Sequence, residues 1–319
     1  MIPLKLKPAL KDYIWGGNRL PRVFGIDSPF DKTAEAWMLS CHPDGENIIE
    51  NGAYAGRTLS DVLAHEGKAY CGTKSEAFDF FPVLIKLIDA KDDLSVQVHP
   101  SDAYALEHEH QYGKTEAWYI LDCEEGAEII YGFQKDLTKE EFRAAIEGNT
   151  LLDCVNRVKV QPGDLYFIPS GTLHAICKGI LLAEVQQNSN VTYRVYDYGR
   201  LQNGKPRALH IEKALDVTNL QAVDCSGNPL GTPKTEQGNT ETLLASCSLF
   251  TMSRLDVGEQ KTLHVGFDSF VSLVAIDGNG VLCHGDTVLT LYKGESIFLP
   301  VGLGEVEILG AVSLLLTTV

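Results

Sequence analysis

The stretch Gly163-Asp-Leu-Tyr-Phe-Ile-Pro169-Ser-Gly171-Thr-Leu-His174 decides the reading of this chain. An apolar run, a Pro-x-Gly turn and a histidine opening the next run read as strand, tight turn and strand. Upstream lie Gln97-Val98-His99 and, after a helix-like stretch, Lys114-Thr115-Glu116. Residues two apart on a strand share a face, so Gln97 and His99 point together into one barrel. A barrel interior receiving Gln97, His99, Glu116 and His174 holds imidazole nitrogen and oxygen donors, the set that suits zinc or a similar divalent ion.

Outward from that segment, short β-type runs dominate: 81–88, 117–121, 128–133, 164–168, 181–186, 250–255 and 269–275. Gly, Pro, Asn and Asp punctuate them, which favours barrels or sandwiches over a doubly wound sheet. Helices are few. Ser101-Asp102 after Pro100 opens one that runs toward Gly113, and Thr138-Lys-Glu-Glu141 is a capping box with Gly148 as the stop. Residues 59–65 and 210–217 are further candidates.

Residues 219–241 have turn and linker composition. Beyond them Gly294-Glu-Ser-Ile-Phe-Leu-Pro300-Val-Gly302-Leu-Gly-Glu305 repeats the first motif 131 residues later, with Glu305 in the place of His174. No upstream Gln-x-His and Lys-x-Glu pair accompanies this copy. The expected organisation is therefore a metal-binding domain over 1–218, a linker over 219–241, and a second barrel without metal over 242–319.

The chain has 319 residues, 44% of them hydrophobic and 22% charged, and a formal charge of −16. That charge argues against nucleic acid as a partner, which wants a basic face. It also means that an anionic substrate needs a local cationic pocket. Eight cysteines carry no Cys-x-x-Cys pair, and the N-terminus lacks an apolar stretch of signal-peptide length. No run is long enough to span a membrane. A reduced, cytoplasmic protein without a membrane partner is expected; its oligomeric state is not legible.

The pattern Gly-x5-Pro-x-Gly-x2-His resembles the second metal motif of the cupin barrels, with Lys178 where that motif usually carries Asn. Further motifs follow in order: Tyr13-Ile-Trp15-Gly-Gly, Ala34-Glu35-Ala-Trp37, Pro82-Val-Leu-Ile-Lys86, Ser95-Val-Gln97-Val-His99, Lys114-Thr-Glu116 and Asn190-Val-Thr-Tyr-Arg194. Together they resemble the type I mannose-6-phosphate isomerases in their short bacterial form, from about residue 3 to 216. The resemblance implies a mainly β fold of two cupin or jelly-roll-type barrels, with a few helices inserted in the N-terminal part. It implies one zinc ion per chain on Gln97, His99, Glu116 and His174, Gln97 being the weaker ligand. The implied reaction interconverts mannose 6-phosphate and fructose 6-phosphate, a small phosphosugar pair, through a cis-enediol.

The same resemblance implies roles for the remaining residues. Arg194 and Glu184 match essential positions, Ser95 and Lys86 match the phosphate end of the substrate site, and Trp15 and Glu35 match pocket residues. Physically, an arginine beside a metal stays protonated and offers a planar fork to charge growing on a sugar oxygen; the alternative is a structural ion pair with Glu184. Lys114 shares the face of Glu116, where it either holds an oxyanion or phosphate or neutralises ligand carboxylates. Glu184 is the candidate for shuttling the C1/C2 proton. Apolar packing is the alternative for Trp15. His108 and His110 sit on the expected helix about 200° apart by helical geometry, so they share no metal. An iron-dependent cupin dioxygenase and a non-catalytic sugar-binding cupin are the competing classes. The first has no need of Lys86, Lys114 and Arg194, and the complete ligand set argues against the second.

Overall fold

A computed structural model describes residues 1–319. Three sheets stack along the molecule. A five-stranded sheet runs in the order Val155–Lys159, Glu128–Phe133, His174–Ile176, Val96–Val98, Tyr193–Tyr196. A six-stranded sheet follows in the order Leu165–Ile168, Glu116–Cys123, Ile180–Gln187, Val83–Ala90, Glu35–Leu39, Ala9–Lys11. The third, ten-stranded sheet contains every strand from Lys234–Glu236 to Gly304–Thr318. The fold is mainly β and of jelly-roll type, with sheets packed face to face and not closed into barrels.

The middle sheet is buried on both sides, and its sequence says so. Val83–Ala90 and Ile180–Gln187 are buried at every position, as strands covered on two faces must be. Strand alternation divides them. Ile85, Leu87, Ala183 and Val185 join the ten-stranded sheet's Val274, Phe298 and Leu315 in one core. Ile88, Ile180 and Leu182 meet Ile129 and Ile176 of the five-stranded sheet in another. The second parity is the one that carries Lys86 and Glu184, so the pleat sends both between the five- and six-stranded sheets.

The helices Lys139–Glu147 and Ile211–Val217 cover the outer face of the five-stranded sheet through Phe142, Ile146 and Leu215 packed on Phe133 and Ala175. The Thr138 capping box forms as read, with Gly148 closing the helix. The helix after Pro100 is shorter than expected. It spans Asp102–His108 and stops where His110 turns left-handed at φ 57°, so His110 lies beyond the helix and the helical-face argument does not apply to it.

Two long-range features were invisible in local patterns. The first strand, Leu4–Lys7, pairs with Ser296–Leu299 and places Leu4 opposite Phe298. Residues in 219–241 lie against the first sandwich: Asn219 N–H donates to Gly171 O, and Leu165 N–H to Gly227 O. At the end of that stretch Lys234–Glu236 already pairs with Asn239–Ser246. All eight cysteines are unpaired, and no helix is long and apolar enough to cross a membrane.

Candidate active site

Sheet register assembles the centre. His174 stands opposite Gln97, and Gln97 opposite Arg194 on its other side. Three adjacent strands thus present His174, Gln97 and Arg194 in a row. The facing sheet brings Glu184 opposite both Lys86 and Trp118, while Glu116 opens its strand and His99 follows the end of Val96–Val98.

The two imidazoles are fixed by the backbone. His99 Nδ1 lies 2.8 Å from Val191 O, and His174 Nδ1 lies 2.8 Å from Thr172 O. A carbonyl only accepts, so both Nδ1 atoms carry the proton and both Nε2 atoms present a lone pair. These face Glu116: His99 Nε2 is 3.6 Å from Oε2, and His174 Nε2 is 3.4 Å from Oε1. All three side chains are buried, and their donor atoms lie within 4.8 Å of one another. The Gln97 amide reaches 3.5 Å from His174 Nε2.

Neither Glu116 oxygen accepts a properly directed hydrogen bond, although the Lys114 ammonium forms an ion pair with one of them. A carboxylate with no exposed surface and a single ammonium partner is left under-satisfied, which is costly. Two lone pairs beside it complete a donor set of the kind a divalent cation satisfies, and the residues fit such an ion. Burial, with Lys114 adding, pushes His174 down to about 4 and His99 well below the usual range. Both rings are therefore neutral at neutral pH, the state in which imidazole can bind a cation. Burial and the neighbouring Glu184 raise Glu116, a shift that a bound cation reverses.

Behind this cluster lies a buried charge network. Lys86 Nζ stands 3.2 Å from Glu184 Oε1 and 3.6 Å from Glu35 Oε2. Lys114 Nζ stands 3.7 Å from Glu184 Oε1 and 3.1 Å from His99 Nε2. Indole N–H groups donate to both carboxylates, Trp118 to Glu184 Oε2 at 2.8 Å and Trp37 to Glu35 Oε2 at 2.6 Å, the oxygen that Lys86 also faces. Burial opposes ionisation of Glu184, but Lys114, Lys86 and the indole together outweigh it and hold the carboxyl well below its usual range. For Lys86 burial is likewise outweighed, by Glu35 and Glu184, which keep the ammonium protonated.

The network opens on a cavity of about 280 Å³. Trp15, Glu35, Lys86 and Ser95 line it, as do Gln97, Lys114, Glu184 and Arg194. Trp15 also packs on the core beside Tyr13, so both readings of it describe its position. Arg194 makes no ion pair with Glu184; its Nε–H donates to Ser95 Oγ at 3.2 Å and its Nη1 to Ala208 O at 3.0 Å. Tyr13, Asn190, Thr192 and Arg207 also line the cavity and were not read from sequence. Tyr13, Asn190 and Thr192 lie inside quoted motifs without having been given a role, while Arg207 lies in a loop with no periodic pattern. His108 and His110 are exposed, as is Glu305.

A jelly-roll pair of sheets with a buried His–Glu–His cluster behind a polar cavity defines a cupin of the metal-binding kind. Residues 3–134 match the model of the phosphomannose isomerase type I catalytic domain, and residues 239–319 that of the mannose-6-phosphate isomerase cupin domain. The mannose-6-phosphate isomerase ManA of Bacillus subtilis is 41% identical over 310 residues, covering 97% of this chain and 96% of the relative. The mannose-6-phosphate isomerase of Streptococcus mutans is 42% identical over 303 residues, covering 93% and 92%. The crystal structure of the Bacillus subtilis mannose 6-phosphate isomerase matches with a TM-score of 0.92 at 39% identity over 100% of both chains. This chain belongs to the type I phosphomannose isomerase family.

Proposed function

We propose that this chain is a zinc-dependent aldose–ketose isomerase that interconverts mannose 6-phosphate and fructose 6-phosphate through a cis-enediol. The observation that carries the metal assignment is Glu116: a fully buried carboxylate, without a directed hydrogen bond, facing two imidazole lone pairs. Family membership carries the reaction and the phosphosugar substrate. One zinc per chain would be held by His99, Glu116 and His174, with Gln97 beside them.

The reaction must acidify a C–H next to a carbonyl and hold the enediol that follows. When bound, zinc supplies Lewis-acid stabilisation of charge on the O1/O2 pair. The Val191 and Thr172 carbonyls hold both rings in the ligating tautomer. Glu184, kept anionic by Lys86 and Lys114, takes the proton between C2 and C1, a role typically worth about 10²–10⁴ in rate. Arg194 places a cationic fork over the oxygen where negative charge grows, and Lys114 balances the carboxylates around it. Trp15, Glu35, Lys86 and Ser95 bind the substrate. The catalytic domain is 1–218; the linker expected over 219–241 ends before Lys234, where the strands of the C-terminal sheet begin, and that C-terminal part holds no catalytic metal. Unpaired cysteines fit a cytoplasmic setting.

The test is metal content. Purified protein should carry close to one zinc per chain, and His174→Ala should lose both the metal and the activity. Full zinc occupancy in that variant would remove His174 from the ligand set.

A further inference from the structure

The cavity is not electrically uniform. At the metal end Lys86 and Lys114 meet Glu35, Glu116 and Glu184, so neither ammonium there is free of a counter-charge. The cavity wall also carries Arg194 and Arg207, with Arg200 and one carboxylate, Asp197, packed against Arg207 behind it. Arg194 has no carboxylate within 4.0 Å, and nothing in the protein accepts from its Nη2. Arg207 donates Nε–H to Asp197 Oδ2 at 2.7 Å and Nη2 to Oδ1, which leaves Nη1 without a protein acceptor. Arg200 is used up: its groups go to Asp197 and to Asp93 O.

The local fold explains why Arg207 is held there. Asn203 and Gly204 both have positive φ, 53° and 76°, and form the two-residue turn of a hairpin pairing Leu201 with Pro206 and Gln202 with Lys205. Arg200 and Arg207 flank that ladder at its open end, where two like charges would repel. Asp197 bridges them and turns Arg207, only 13% exposed in its side chain, onto the cavity wall.

We propose that Arg207, positioned by Asp197, binds the phosphate of the substrate on the cavity wall. This rests on the sugar-phosphate reading above and deepens it. It moves the phosphate away from Lys86, whose charge is already met by two carboxylates. A phosphate dianion there takes up the unused Arg207 Nη1 donor in a charge-assisted hydrogen bond. Asp197 is a positioning residue, since it faces the arginines.

The test uses zinc-loaded full-length protein and inorganic phosphate, followed by phosphorus NMR titration and by competitive inhibition. Wild type should bind phosphate, and Arg207→Ala should weaken it about 10- to 100-fold, the range for loss of a charge-assisted hydrogen bond. KM for mannose 6-phosphate should rise by a similar factor while kcat and zinc content hold. Arg207→Lys should recover part of the affinity, and Asp197→Asn should weaken binding although Arg207 is intact. Phosphate held on the metal or on Lys86 would survive Arg207→Ala, and that result overturns the proposal. A fall in kcat at unchanged KM overturns it too. If wild type binds phosphate through Arg207 yet isomerises no sugar phosphate, the function assigned above fails and the anion site stands.

Discussion

The backbone bonds of His99 and His174 matter as much as the rings themselves. Had either Nδ1 faced a donor, the lone pair would have pointed away from Glu116 and the cluster would bind no metal. The neighbouring Arg194 is unlike its companions because it has hydrogen bonds but no counter-ion, so its charge remains for a substrate oxyanion. If it acts on the enediol and not on the ground state, Arg194→Ala should lower kcat about 10²–10³-fold, the usual effect of removing one such donor. KM and zinc content should hold. Arg194→Lys should restore only part, since an ammonium has no fork. Kinetics giving normal kcat and a large rise in KM would move Arg194 to binding alone. At this scale the sequence was most legible where chemistry and spacing coincide. The pair Gln97 and His99, Lys114 and Glu116, and His174 after its Pro-x-Gly turn lie where a period of two places them. Arg207 was not legible, because its placement on the cavity wall depends on Asp197 ten residues away and on a hairpin that no hydrophobic period marks.

Strands were legible as elements but not their partners. The apolar runs at 83–90 and 180–187 identify buried strands, yet nothing local says that Leu4 will lie against Phe298. That pairing closes a core in which Phe298 stacks on Phe270 at 5.1 Å and Phe270 on Phe81 at 5.2 Å. Phe81 precedes the strand that carries Lys86, so the ten-stranded sheet supports the catalytic one directly. Phe298→Ala should cost about 3–5 kcal/mol, as large core truncations do, and should lower the melting temperature of activity and of far-ultraviolet ellipticity together. Activity melting at its original temperature while ellipticity drops early would show that the two parts are uncoupled. The helix ending at His108 is an instance of the opposite kind. Composition allowed the helix to continue, and the left-handed turn at His110, set by the need to return toward Lys114, ended it.

Across the whole molecule the arrangement is layered: helices, a five-stranded sheet, the site, a six-stranded sheet, then the C-terminal sheet wrapped on its own core. The repeat of Gly163–His174 at Gly294–Glu305 marks a strand running into a Pro-x-Gly turn in both places, Leu165–Ile168 and Ser296–Leu299. What the repeat could not foretell is that the first strand of the chain would join the last sheet, since register between distant segments is set by tertiary packing. The first copy ends in a buried histidine, His174, and the second in the exposed Glu305; the first faces a second sheet that brings Glu116, Glu184 and Lys86. A protein with net charge −16 thereby concentrates its buried cations around one cavity, as an anionic sugar phosphate requires. The central claim is tested most directly by following fructose 6-phosphate formation from mannose 6-phosphate in a coupled assay, before and after chelation and after zinc is returned. The account predicts turnover that chelation abolishes and zinc restores. Turnover that persists in metal-free protein, or zinc-loaded protein that makes no fructose 6-phosphate, would contradict it.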